Sequence, residues 1–510
     1  MVSARIHHQL CTMLAAFGSV IAAQAYSQQP IVAPPADPAI AAALSHVSVA
    51  DLRATDEKLV SFNNRNTLSS METDLKPGTG INAAADWIES EFKRISAQCG
   101  GCLEVKRDEF VAEPQAGSAA RILKPTKLTN IYAVLRGTDP AQADRRVLVT
   151  GHYDTRNTDV MNTHDPAPGA NDDSSGTAVS IECARVLSKL KFPATIVFVA
   201  VAGEEQGLVG SRHLAQVARA EGWKLEAVLN NDIVGGDTTP GDTQQDKTAV
   251  RVFSESIPAT ATPELTKTLI SLGAESDSPS RQLARAIREI SLAYFPFNPI
   301  AQGTKTPPNT SHNNLIRLAP AFHPVLILRH DRYLRGGDHT SFNAEGFAAV
   351  RITEWRENYD HQHQTVRTEN GKQYGDLIQY VDFDYVANVA RMNAAVLATL
   401  ASAPGLPVDV RIGTNGLGNT SELSWKAPEG APSGTTYEIV WRPTDASNWT
   451  MSQSAGPATS IKLDISKDNV VFGVRSVDAS GHRSPAVLPM PNTPLRIVTP
   501  PAQPKPAAGV

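Results

Sequence analysis

Three short apolar runs, at 146–150, 195–201 and 225–229, each stop within a few residues of a histidine or an acid, and this shared address constrains the chain more than any other feature. The runs are too short for core helices and too apolar for exposed strands, so they read as strands buried on both faces. Helical patterns at 175–190 and 208–220 separate them, which predicts an α/β fold with a mixed twisted sheet flanked by helices. In open α/β sheets, ligands collect just beyond the carboxyl ends of the strands. The residues waiting there are His152 and Asp154, Glu204 and Glu205, and Asn231 and Asp232.

Two further segments carry the same chemistry, Asn171-Asp172-Asp173-Ser174-Ser175-Gly176 and Asp338-His339. Each motif alone is weak, since a turn or a charged surface explains it equally well. Together they offer two imidazoles, several carboxylates and no cysteine. This is the donor set expected of paired zinc ions that keep a position open for water.

The order His-x-Asp, Asn-Asp-Asp-x-Ser-Gly, Glu-Glu-x-Gly-x-x-Gly-Ser, Asn-Asp and Asp-His resembles the M28 family of zinc exopeptidases over roughly residues 50 to 400. The resemblance implies a zinc exopeptidase fold, two zinc ions and hydrolysis of peptides. It implies that His152, Asp172 and Asp232 hold one zinc, that Asp172, Glu205 and His339 hold the other, and that Glu204 is the general base. Asp154 is expected to accept a hydrogen bond from the imidazole of His152 and so fix its tautomer. The Asp172–Asp173 peptide is expected to be cis. Chemistry agrees with these roles: a bridging carboxylate has two oxygens and a charge to set against two dications. Adjacent residues at a strand end also point in different directions, so Glu205 can face metal while Glu204 faces water.

With 510 residues the chain is long enough for two or three domains, and 19% charged against 41% hydrophobic residues describes an ordinary globular composition. A net charge of −5 without a dense Lys/Arg run argues against nucleic acid as a partner and leaves peptides or proteins. Arg5, an apolar stretch from Leu10 to Ala23 and the Ala23-Gln24-Ala25 pattern read as a signal peptide at 1–25, too short to span a membrane. The expected location is therefore periplasmic or secreted. Cys99 and Cys102 then read as a small structural disulfide, and Cys183 as a buried free thiol.

The expected organisation is a helical segment at 26–75 packed on a peptidase domain at 76–403. Within the latter, helices are expected at 82–96, 279–293 and 377–400, and the Gly/Pro/Thr/Ser-rich stretch 236–320 reads as an insertion. Residues 404–497 show short alternating runs separated by turns, which predicts a small all-β sandwich. That stretch resembles a fibronectin type III module, lacking its usual corner tyrosine at Val470, and such a module could bind a surface or polymer. The Pro/Ala-rich tail at 498–510 has no means of burying a core.

Substrate recognition is less legible. Arg332, Tyr333 and Arg335 are candidates, the arginines for a substrate carboxylate, although pairing with Asp331 or other acids is the plainer role. Tyr294, Phe295 and Phe297 could line an apolar pocket or belong to the core. His361 and His363 read as residues of the pocket rim or partners of a ligand, with a surface loop as the plainer alternative. An aminopeptidase is the favoured activity. Carboxypeptidase or dipeptidase action, glutaminyl cyclisation, and a metal-free receptor or adhesion protein are the alternatives.

Overall fold

The computed structural model describes residues 28–295, 297–299, 318–320, 322–415 and 418–493. The expected signal peptide and tail lie outside them. The centre is an eight-stranded sheet: β1 (Leu103–Ala112), β2 (Thr126–Leu135), β3 (Arg145–His152), β4 (Thr195–Val201), β5 (Lys224–Asn231), β6 (Ala249–Ser254), β7 (His323–Ile327) and β8 (Ala349–Glu354). The spatial order is β7-β6-β8-β5-β3-β4-β2-β1. Strands β4, β3, β5 and β8 run parallel to one another, while β6 opposes β8 and β2 opposes β4. The carboxyl ends of four adjacent strands therefore share one edge of the sheet.

Burial explains the uninterrupted apolar runs. Every residue of β4 is buried, with Ile196, Phe198 and Ala200 in one core and Val197, Val199 and Val201 in the other. The first core packs beneath helices that include Val49–Val60, Gly80–Gln98, Ser175–Leu187, Pro279–Tyr294 and Phe383–Ser402; the second lies under Val209–Ala220 and His339–Ala344.

Two expectations change. The stretch 236–320 is not simply an insertion, because β6 lies within it and pairs with both β7 and β8. Its apolar run is interrupted by Arg251, which the fold accommodates through an ion pair to Glu357 at 2.9 Å. The last long helix starts at Phe383 rather than near 377. There the Asp382 carboxylate accepts hydrogen bonds from the Asp384 and Tyr385 amides, a cap preceded by a separate turn at Ile378–Tyr380. Cys99 and Cys102 form a disulfide, and Cys183 is free and buried.

Beyond the eight-stranded sheet and its helices, two four-stranded sheets enclose a shared core in which Val410, Leu423 and Trp425 of one meet Ile439, Trp441 and Phe472 of the other. One sheet is completed from the far end of the chain, since Gln29–Pro30 pairs antiparallel with Met451–Ser452. No described helix is long and apolar enough to cross a membrane.

Candidate metal centre and active site

His152 is the last residue of β3, Asp232 follows β5 directly, and Glu204 and Glu205 lie just past β4. Close packing brings the next helix to them: a Cβ on Gly151 would stand 2.3 Å from the carbonyl carbon of Gly176, so only glycine lets Ser175–Leu187 approach so near. Asp173 ties the segments together by accepting hydrogen bonds from the amides of His152 (3.0 Å), Gly176 (3.0 Å) and Ile233 (3.2 Å). Its neighbour Asp172 is held through its own amide, which donates to Asp376 at 2.7 Å. The Asp172–Asp173 peptide is cis.

The two oxygens of Asp172 face different partners. Oδ1 lies 3.1 Å from His152 Nε2, which in turn stands 3.9 Å from Asp232 Oδ1. Oδ2 lies 2.9 Å from His363 Nε2, which stands 3.0 Å from Glu205 Oε1. Within each trio, His152/Asp172/Asp232 and Asp172/Glu205/His363, donor atoms fall within 4.8 Å of one another. His152 Nε2 and Glu205 Oε1 are buried and, among the described residues, have within reach only the other donor atoms of their own trios, at angles unsuited to hydrogen bonding. Buried polar atoms are rarely left unmatched, and lone pairs converging on two points fit a pair of cations with nitrogen and oxygen ligands.

The electrostatics agree with that fit. Burial works against the Asp172 carboxylate, yet His363 and His152 hold its pKa well below the usual range. Burial likewise opposes protonation of His363, while Glu205 and Asp172 push it up to about 10. His152 is raised against its burial by Asp154 and Asp172. Burial lifts Glu204 well above an ordinary carboxylate, with Asp232 and Glu205 adding to the rise and His152 opposing it. This is an excess of negative charge confined to a small space, and two dications would relieve it.

Several expectations need correction. His339 is not brought to the cluster; it starts the helix His339–Ala344, fully buried, with Nε2 2.9 Å from the carbonyl oxygen of His330. The imidazole that meets Asp172 and Glu205 is His363. The reason is strand direction: β8 runs parallel to β5, so the chain beyond Glu354 emerges at the same edge as Asp232. Asp154 does not hold the His152 ring by its carboxylate alone. Nδ1 lies 3.1 Å from the Asp154 carbonyl oxygen and 3.5 Å from Oδ1, while the carboxylate accepts from the amides of Glu204 and Glu205, both at 3.1 Å. Asp154 thus orients the strand end that carries Glu204 and Glu205.

His361 is a scaffold residue, bonded to Asp237 through Nδ1 and stacked on Tyr380 with ring centroids 3.8 Å apart. Tyr333 points to solvent, 74% exposed, and Phe295 belongs to the core. Tyr294 accepts a hydrogen bond from the Asp37 amide, and the Phe297 side chain lies outside what is described. Arg332 is committed to Asp331 (3.0 Å), Glu357 (2.9 Å) and the Gly336 carbonyl (3.0 Å), and Arg335 reaches Glu357 at 3.1 Å.

Three contributors escape a reading of the sequence. Gln362 donates to Asp172 Oδ2 at 3.1 Å, Asp376 holds the Asn171 and Asp172 amides, and the fully buried Arg351 bonds Asp232 Oδ2. Only Arg351 leaves a sequence signal: a cation inside the apolar strand Ala349–Glu354 requires a buried acid as its partner. Above the centre opens a cleft of about 470 Å³, whose walls include Leu208, Tyr359 and Arg121.

The profile of peptidase family M28 matches residues 130–282. A protein of Pyricularia oryzae described as a probable zinc metalloprotease is 44% identical over 480 residues, covering 93% of this chain and 87% of that protein. A second so described, from Pyrenophora tritici-repentis, is 42% identical over 465 residues, covering 90% and 89%. Among solved structures, the LapA aminopeptidase of Legionella pneumophila is 19% identical with a TM-score of 0.46, over 73% of this chain and 75% of that one.

Proposed function

The chain belongs to peptidase family M28 and is a zinc metalloprotease, and from that premise we propose that it is an exported di-zinc aminopeptidase. The observation that carries the reading is the division of Asp172, whose Oδ1 faces His152 and Asp232 while Oδ2 faces His363 and Glu205. His152, Asp172 and Asp232 would hold one zinc; Asp172, Glu205 and His363 would hold the other. Bound zinc supplies Lewis acidity toward the scissile carbonyl and acidifies water toward a pKa of about 7.

The remaining work belongs to the side chains. Glu204 borders the cleft beside the donor trios, where it accepts the proton of the attacking water and returns it to the leaving amine. Asp154 keeps Glu204 and Glu205 in register by holding both amides. Glu204 and Asp232 form an anionic floor that draws the α-ammonium group of a peptide. Carboxypeptidase action would call on Arg332 and Arg335, but both already serve Glu357. A metal-free receptor role finds no support in a donor set this complete. Export rests on the sequence of residues 1–25, and we read the sandwich as the fibronectin-like module, which contributes no residue to either donor trio.

Aminoacyl chromogenic substrates test the assignment. Cleavage is expected with a free α-amine, is lost on N-acetylation and survives C-terminal amidation. Hydrolysis of N-blocked peptides that requires a free terminal carboxylate would overturn it.

A further inference from the structure

Among the described residues the cleft above the donor trios is lined mostly by charged and polar side chains, with Leu208 and Tyr359 its apolar contributors. Its lining includes four guanidinium groups, those of Arg121, Arg156, Arg332 and Arg335. The last two form ion pairs with Glu357, which they share with Arg251, and Asp331 also serves Arg332. Arg121 and Arg156 differ. Arg121 Nη1 donates to the Glu205 carbonyl oxygen at 2.6 Å, and Arg156 donates to the carbonyls of Asn157 (3.1 Å) and Thr158 (3.3 Å). These bonds go to neutral oxygens. Among the described residues neither guanidinium forms an ion pair, and each has five N–H donors to satisfy. Both side chains are only partly exposed, so their charges are less screened than those of freely solvated arginines.

The cleft therefore carries both signs: the carboxylates of Asp172, Glu204, Glu205 and Asp232, and two guanidiniums, of Arg121 and Arg156, with no ion pair among the described residues. A cation short of an acidic partner beside a binding cleft is itself a recognition element, because a carboxylate can take two parallel N–H bonds from one guanidinium. We propose that Arg121 and Arg156 select substrates with an acidic side chain, Asp or Glu, at a residue flanking the scissile bond. The proposal rests on the aminopeptidase reading for the placement of the substrate amine at the floor. A terminal α-carboxylate of a very short peptide offers the same chemistry, and amidation distinguishes the two sources.

The test separates recognition from turnover by using full-length, zinc-loaded protein with Glu204→Gln, to which short peptides bind without being cleaved. Calorimetry would compare amidated peptides bearing Glu at the first or second position with their Gln counterparts. The acidic peptide is expected to bind about tenfold tighter or more, the range of a charge-assisted hydrogen bond. Adding Arg121→Gln or Arg156→Gln brings the ratio toward one, and Arg156→Glu shifts preference to Lys peptides. The Glu-to-Gln comparison on the unaltered rim does not depend on how those variants fold. Equal binding of the two peptides, or a preference that appears only when the C-terminus is free, overturns the proposal. Acid preference in binding, alongside failure of the unsubstituted enzyme to cleave any free-amine substrate, upholds the recognition and sinks the aminopeptidase reading instead.

Discussion

Glu204 and Glu205 are adjacent yet do different things, because Glu205 meets His363 at 3.0 Å while Glu204 belongs to neither donor trio and borders the cleft. Glu204→Gln is therefore expected to retain its zinc and lose roughly 10²–10⁴ in kcat, since an amide cannot take the proton; metal content measured beside turnover checks both halves. The histidines give a sharper contrast. His363→Ala removes a proposed ligand and should lower bound zinc by about one equivalent per chain. His339→Ala leaves both trios intact and should keep the zinc while lowering the melting temperature, because it empties a fully buried position bonded to His330. Equal zinc loss in the two variants would contradict the placement of His363. The sequence could not make that choice. Asp338-His339 carries the motif-like pattern, whereas His363 follows β8 by nine residues, and only the parallel pairing of β8 with β5 brings it to the site.

Among the elements, the strands that position the centre were legible, and one strand further out in the sheet, β6, was not. Strands β3, β4 and β5 are buried on both faces and read as apolar runs, and their order of motifs placed His152, Glu204, Glu205 and Asp232 correctly at strand ends. Strand β6 was hidden because Arg251 breaks its pattern, and its acid, Glu357, is supplied from the loop after β8. The same limit applies between the peptidase core and the sandwich. Asp277 is buried between Arg285 of the helix Pro279–Tyr294 and Arg442 of the sandwich, each at 2.7 Å. Removing one member strands buried charge, so Asp277→Ala is expected to destabilise the chain by about 3–5 kcal/mol, read by denaturant unfolding. A second clasp holds the N-terminal segment: His482 lies 2.7 Å from Asp478 and 3.2 Å from Asp37. Burial opposes protonation of His482, but Asp478 and Asp37 raise its pKa. A raised histidine stabilises the fold fully below its unfolded value of about 6.5, and that contribution disappears as pH climbs through the raised folded value. Thermal melts across neutral pH should show this loss, and His482→Gln should flatten it.

At the scale of the molecule, the chain closes on itself. Gln29–Pro30 completes a sheet of the sandwich, while Arg475 of the same sheet reaches Glu289 of the peptidase core at 2.6 Å. The sandwich supplies no residue to either donor trio and is joined to the rest of the fold by buried ion pairs. What the whole fold accomplishes is the delivery of five segments to one edge of a sheet, where they meet around Asp172. Two cations sharing that carboxylate are the central claim. Elemental analysis of zinc in protein never exposed to chelator tests it most directly. Two equivalents per chain are predicted, falling to one or fewer in Asp172→Asn; a single equivalent in the unaltered protein, or none, would contradict the account.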